Sequence, residues 1–384
     1  MTHASFSFKR PQLAAALCDS LEGKGIANSR SGLFLAAPRR VGKSTFLKGE
    51  LVPAGNARQW VTVYVDLWAN READPAELIA EAIKTRIADY QGKITKLAKA
   101  VKLDKIMLMG TLVLDFNRPG LPPSMTLADA IKVLHSLADQ PVLLIVDEAQ
   151  HALTTPAGLN AMFGLKSARD QLNSNDLAPA LMLVFTGSNR DKLAHLVLKK
   201  DQPFFGSDVT PFPLLNRAYT DAFTDWANAS LAADNQFGKD GVWSAFKLVG
   251  HRPEILNEMA GRIALGGEAA NFSGLLEQNA ELWHGRIWDE FESEFNTLTE
   301  LQKAVLTALV EKGRAWSPFN EDSMTRYAEI TRQKEVSTAS VQTAIAGLRE
   351  RGFIWQSGRG AYALEDESFA EWFRHGGAGE KVSG

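Results

Sequence analysis

Leu33-Phe34-Leu35-Ala36-Ala37-Pro38-Arg39-Arg40-Val41-Gly42-Lys43-Ser44-Thr45 is the stretch that decides the fold. An apolar run leads into a short polar loop, and Phe46-Leu47-Lys48-Gly49-Glu50-Leu51 continues as helix. Strand, tight loop and a helix opened by Gly-Lys-Ser is the layout of a phosphate-binding P-loop. Backbone N–H groups of such a loop point inward as an anion nest. The positive end of the following helix adds to the attraction. In this layout Lys43 reaches the β- and γ-phosphates of a nucleotide and the Ser44 hydroxyl takes a place on Mg²⁺. Pro38, Arg39, Arg40, Val41, Gly42 and Thr45 complete the cradle. Ala37 stands where the pattern usually has glycine. Alanine resists positive φ, so the chain is expected either to turn there with φ negative or to tolerate mild strain.

A second stretch strengthens the reading. Pro141-Val142-Leu143-Leu144-Ile145-Val146-Asp147-Glu148-Ala149-Gln150 is an unbroken apolar run ending in two acids. Apolar residues on both faces mark a strand in the middle of a parallel sheet. Carboxylates at its end fit a magnesium site: Asp147 holds the ion, usually through water, and Glu148 orients and deprotonates the attacking water. A third strand, Leu181-Met182-Leu183-Val184-Phe185, ends in Thr186-Gly187-Ser188-Asn189-Arg190. One of Thr186, Ser188 or Asn189 is expected to sense the γ-phosphate or the lytic water, against the alternative of a plain turn.

The chain has 384 residues, too many for one ordinary domain. A hydrophobic share of 45% with 23% charged residues is that of a soluble globular protein. A net charge of −3 gives no global attraction to nucleic acid or acidic membrane. The single cysteine, Cys18, excludes an intramolecular disulfide and a cysteine-cluster zinc site. The longest apolar stretch outside the core strands, Ile106 to Phe116, is too short to span a bilayer. The start Met-Thr-His-Ala has no secretory pattern, so a cytoplasmic location without membrane attachment is expected.

Organisation follows from the periodicities. Helices are expected over 11–23, 75–91 and 127–137, with a strand over 60–67, so strands alternate with helices as in a parallel, doubly wound sheet. Lysines at 93, 96, 99, 102 and 105 suggest a solvated helix face, followed by an irregular connector, Arg118 to Pro123. Residues 216–290 lose strand character and read as a helical lid. Within it, Gly250-His251-Arg252-Pro253 opens a helix, where Arg252 is either a second phosphate sensor or an exposed base. From 297 to 375 three helices and a hairpin, joined by Ser357-Gly358-Arg359-Gly360, make a winged helix-turn-helix. It would offer Ser340, Gln342 and Thr343 to a groove, with Arg359 at the wing tip. Ten lysines and arginines against eleven acids give this segment a net −1, and phosphate attraction dominates DNA affinity. DNA contact and protein contact therefore both stand.

Taken together, Ala37–Ser44, Asp147-Glu148-Ala149-Gln150, Thr186–Asn189 and the trailing winged helix resemble the archaeal-type prokaryotic ATPases. These belong to the AAA+ and STAND branch of P-loop proteins and relate distantly to replication-initiator ATPases. The closing segment Tyr362 to Phe373 is similar to that family's ending, and the resemblance spans nearly the whole chain. It implies an α/β P-loop NTPase core (1–215), a helical lid (216–293), a C-terminal winged helix (294–377) and a flexible tail (378–384). It also implies that Lys43 and Ser44 or Thr45 bind phosphate and Mg²⁺, that Asp147 holds Mg²⁺, and that Glu148 is the catalytic base. Pro203-Phe204-Phe205-Gly206-Ser207 falls where relatives carry Gly-Arg, so an arginine finger would have to come from Arg190, Arg217 or Arg252. That arginine belongs to this subunit or to a neighbour, which leaves a homo-oligomer open. The expected activity is ATP hydrolysis as a slow, partner-responsive switch. The alternative is a non-hydrolysing nucleotide-bound module that grips DNA or a protein.

Overall fold

A computed structural model describes residues 6–24, 28–90, 121, 125–174, 178–266, 271–358 and 360–377. The lysine-spaced stretch, the Arg118–Pro123 connector, the wing-tip Arg359 and the 378–384 tail lie outside them, apart from Leu121. The chain divides into a sheet unit, Lys9–Ala37 with Lys43–Phe212, and a second unit, Met1–Phe8, Pro38–Gly42 and Pro213–Gly384.

The sheet unit is built on five parallel strands: β1 (Leu33–Ala36), β2 (Val61–Asp66), β3 (Val142–Asp147), β4 (Leu181–Gly187) and β5 (Val209–Pro211). Their order is β2-β3-β4-β1-β5. Every residue of β1, β3 and β4 is buried, as expected of strands covered on both faces. Register sets Asp66 beside Asp147. Strand β5 is three residues long and ends in proline, which is why its sequence reads as loop.

On one face lie α1 (Pro11–Glu22) and a bent element made of α2 (Lys43–Phe46), a π-helical turn (Leu47–Leu51) and α3 (Val52–Ala57). Pro53 has no N–H to offer the Gly49 carbonyl, so the regular ladder breaks there. Lys9 Nζ donates to that carbonyl at 3.1 Å instead. The other face carries α4 (Pro75–Ala88), α5 (Leu127–Ala138), α6 (Pro156–Leu172) and α7 (Arg190–Leu198). Ile79, Ile83, Ile131, Leu134, Met162 and Leu165 pack there on Val63, Val65, Leu144 and Val146. Helix α6 escapes the sequence reading because it holds two glycines, and Asn, Ser, Arg and Asp interrupt its apolar stripe.

The second unit has two cores. Helices α8 (Arg217–Asn228), α9 (Lys239–Leu248), α10 (Pro253–Leu265) and α11 (Phe272–Asn296) close around Tyr219, Phe223, Phe246, Leu256 and Leu276. Phe6 packs edge-on against Tyr219 and Phe223. Beyond them come α12 (Glu300–Lys312), α13 (Glu321–Thr331), α14 (Thr338–Glu350), the antiparallel hairpin β6 (Ile354–Gly358) and β7 (Ala361–Leu364), and α15 (Ser368–Trp372). This is a winged helix. A capping box at Thr299 and Gln302 starts α12, and the Ser337 side chain starts α14. Val341, Ile345 and Leu348 face the core.

Buried Trp316 Nε1 donates to Tyr327 Oη at 3.1 Å, and burial raises the Tyr327 phenol to about 12. Tyr327→Phe would leave the indole N–H unpaired, so the winged helix is expected to lose about 1–3 kcal/mol, to be read by thermal unfolding.

Candidate functional site

The sheet unit gathers its polar side chains at the carboxyl ends of β2, β3 and β4. Asp147, wholly buried at the end of β3, is the hub. Its Oδ1 accepts from Lys43 Nζ at 2.6 Å and from the Thr186 hydroxyl. Its Oδ2 accepts from Ser44 Oγ at 2.5 Å and Tyr64 Oη at 2.7 Å. Lys43, only 5% exposed, also donates to Glu148 Oε1 and Thr186 Oγ1, each at 3.1 Å. A buried ion pair is tolerable only when its remaining polar atoms are paired, and here hydroxyls from two strands and one helix do that.

Burial alone would raise the Asp147 carboxyl. The charge of Lys43 and the hydrogen bonds from Lys43, Ser44 and Thr186 outweigh it and hold the group at about 2. Glu148 is likewise pushed down: burial opposes ionisation, but Lys43 and donors from Ser188, Gln150 and Lys43 prevail. Burial, followed by the charge of Asp147, drives the Tyr64 phenol up. Both carboxylates are thus anions and Tyr64 stays a donor. Glu148 sits at φ 55, in the left-handed region, a strain that marks functional turns.

Sequence reasoning missed Tyr64 and Gln150. Tyr64 belongs to the same strand face as Asp66, and only the β2–β3 register shows that it reaches Asp147. Tyr64→Phe removes a hydrogen bond to a charged acceptor and is expected to cost about 1.5–3 kcal/mol, measured by denaturant titration. Gln150 gives Nε2 to Glu148 Oε2 at 2.5 Å. Its place two residues beyond Glu148 was the available signal.

The three residues of the β4 turn part company. Thr186 bonds Asp147, Ser188 Oγ donates to Glu148 Oε2 at 2.7 Å, and Asn189 caps α7 by accepting from Lys192 N at 2.7 Å. Thr45, next to Ser44 on α2, is exposed.

In the second unit, the loop Pro38–Gly42 takes positive φ at Arg40 (67°) and Gly42 (86°), with Val41 between them buried and not so twisted. Alternation of this kind turns successive N–H groups to one side and forms an anion-binding concavity. Ala37 keeps a non-positive φ and donates its N–H to Gly187 O at 3.2 Å. Arg39 and Arg40 are exposed, and Arg40 pairs with Glu254 at 3.6 Å. Arg252 precedes Pro253 at the start of α10, while His251 turns inward: its Nδ1 lies 2.8 Å from Leu215 O, and Phe246 packs edge-on to its ring. Arg217 is held by Asp221 at 2.8 Å and Asp240 at 2.7 Å. On the winged helix Ser340, Gln342 and Thr343 are exposed; Ser340 also bonds Ser337, and Thr343 bonds Ala339 O.

Among the described residues no group of three or more His, Cys, Asp or Glu is placed to hold a metal on its own. The hard-oxygen pair Ser44 Oγ and Asp147 Oδ2 does suit Mg²⁺, which keeps several waters and shares itself with phosphates. No described helix is long and apolar enough to cross a membrane.

The comparisons agree with this architecture. A family profile described as "Probable winged helix domain" matches residues 289–375. No curated protein matches the chain by sequence. Among solved structures, the ORC2 protein of Aeropyrum pernix in its ADP form is similar at TM-score 0.56 and 14% identity, over 96% of this chain and 93% of that one. The Walker-type ATPase of Pyrococcus abyssi is similar at TM-score 0.53 and 18% identity, over 96% of both chains. At these identities the likeness is one of fold, and the fold is that of an α/β P-loop NTPase with a C-terminal winged helix.

Proposed function

We propose that this chain is a Mg²⁺-dependent ATPase that works as a conformational switch. The observation that carries the proposal is the convergence of Lys43, Ser44, Asp147 and Glu148 at one end of the parallel sheet. The solved relatives in ADP and ADPNP–ADP forms add support for an adenine nucleotide.

The residues divide the work. Backbone N–H groups of the loop from Pro38 to Gly42 and the ammonium of Lys43 bind the triphosphate. Phosphate oxygens then take over acceptors at Nζ that Asp147, Glu148 and Thr186 now supply. Ser44 and Asp147 would hold Mg²⁺, which would supply charge neutralisation to the triphosphate. Glu148, an anion 3.1 Å from Lys43, orients water for in-line attack and accepts its proton. Arg190, Arg217 or Arg252 is the arginine that adds transition-state charge, from this subunit or from a neighbouring copy. Arg252, Ser188 and Asn189 are read as groups that respond to the γ-phosphate directly or through neighbours.

The winged helix presents Ser340, Gln342 and Thr343, with Arg359, to duplex DNA or to a protein. Phosphate release from ATP should be measured with and without Mg²⁺ and duplex DNA. Mg²⁺-dependent turnover is the expected result; ATP binding with no release under any condition would favour a nucleotide-bound module. DNA affinity that falls steeply with salt and weakens in Arg359→Ala would select DNA as the partner. An affinity indifferent to both would exclude backbone contact and leave the protein-binding reading.

A further inference from the structure

We propose that Gln150 and Ser188 are positioning residues for Glu148, two side chains that clasp the base against the end of β4. The inference rests on the ATPase reading above and deepens it. Three donors converge on Glu148 Oε2: Gln150 Nε2 at 2.5 Å, Ser188 Oγ at 2.7 Å and the Ser188 N–H at 3.3 Å. Oε1 faces Lys43 at 3.1 Å. One oxygen of the carboxylate therefore meets the cation, and the other is fixed by Ser188 after β4 and by Gln150 in the turn after β3. The backbone at Glu148 is in the left-handed region, at φ 55.

Gln150 itself shows what the clasp is for. The residue is 5% exposed, yet its Oε1 has no partner among the described residues. A buried amide with one unpaired half costs stability. Methionine, of similar length and without polar atoms, would fill the same space without that cost. Packing therefore gives no reason for an amide here; its Nε2 donor does. Gly187 leaves the amide its room, because a Cβ at that position would stand 2.6 Å from Oε1. Ser188 completes the arrangement, lying 3.5 Å from Gln150 Nε2 as well as on the carboxylate. A base must lie within hydrogen-bond reach of the water it deprotonates, so groups that fix the carboxylate act on kcat and not on nucleotide affinity.

The test uses the full chain with Mg²⁺ and ATP and compares wild type with Gln150→Met, Ser188→Ala and Ser188→Thr. Gln150→Met and Ser188→Ala are expected to lower kcat by about 10- to 100-fold, with KM for ATP moving less than about twofold. Ser188→Thr, which keeps the hydroxyl, should return most of the lost rate. Gln150→Met also removes a hydrogen bond to a charged acceptor, so some loss of melting temperature is expected; the split of kcat against KM, read well below the melting range, separates positioning from a structural role. Unchanged kcat in both variants overturns the proposal, as does a rise in KM at constant kcat. A crystal structure of the Gln150→Met/Ser188→Ala double variant judges the clasp without hydrolysis: a Glu148 carboxylate that leaves the β4 edge supports it, and one that stays put overturns it. Wild type that releases no phosphate would sink the ATPase reading, while the crystallographic arm would still decide on the clasp.

Discussion

Glu148→Gln is expected to bind ATP about as tightly as wild type while hydrolysing it about 10²–10⁴-fold more slowly. The substitution is nearly isosteric, although the amide nitrogen replaces an acceptor that Gln150 Nε2 and the Ser188 N–H now use. The amide oxygen can face Lys43, where Glu148 Oε1 now stands at 3.1 Å, and the amide nitrogen can donate to the Ser188 hydroxyl. What the amide cannot do is accept a proton from water. In the proposed function nucleotide binding draws on Lys43, Ser44 and the Pro38–Gly42 loop, none of which the substitution removes. Single-turnover phosphate release and an ATP titration on the same preparation separate the two effects. A variant that hydrolyses at the wild-type rate would remove Glu148 from the role of base. One that loses ATP affinity in parallel with rate would make the residue part of the binding site instead.

The parts of this site that can be read in the sequence are those carried by one continuous segment. Leu33 to Thr45 reads as strand, loop and helix because an apolar run meets Gly-Lys-Ser without interruption. Val142 to Glu148 reads as a central strand because no polar residue breaks it before the acids. The winged helix is legible for the same reason: caps, periodicity and the hairpin turn are all local signals. Strand order is not local. Nothing in the chain says that β4 lies between β1 and β3, yet that order is what brings Thr186 to Asp147 and Ser188 to Glu148. Tyr64 is equally silent until the register sets Asp66 beside Asp147. The π-helical turn after α2 could have been suspected from Pro53, whose missing N–H falls one turn after Gly49. Strand β5 is too short for any periodicity to show.

Lys43→Ala should do more than abolish nucleotide binding: it should reverse the way stability responds to acid. In wild type the Asp147 carboxyl is held at about 2, below its ordinary value, by the lysine and the hydroxyls around it. A depressed pKa contributes stability above the unfolded-state value near ~4 and loses it as pH falls through the folded value. For Asp147 that contribution is about 2 kcal/mol, lost below pH ~4. Removing Lys43 deletes the charge and one hydrogen bond that oppose burial, which is the largest single influence on this wholly buried group. The folded pKa then climbs above the unfolded one. A raised pKa gives stability that is complete below the unfolded value and is lost as pH rises through the folded value, so the variant is expected to be more stable at pH 5 than at pH 7. At pH 7 an uncompensated buried carboxylate of this kind costs about 3–5 kcal/mol. Asp147→Asn added to Lys43→Ala removes the orphaned charge and should recover part of that loss, and the recovery should vanish toward pH 4. Urea unfolding of the three proteins across pH 4–8 measures all of this. A Lys43→Ala protein whose stability does not rise between pH 7 and pH 5, like wild type, where the Asp147 contribution is complete throughout that range, would mean that the hydroxyls of Ser44, Tyr64 and Thr186 hold Asp147 ionised without help from the lysine.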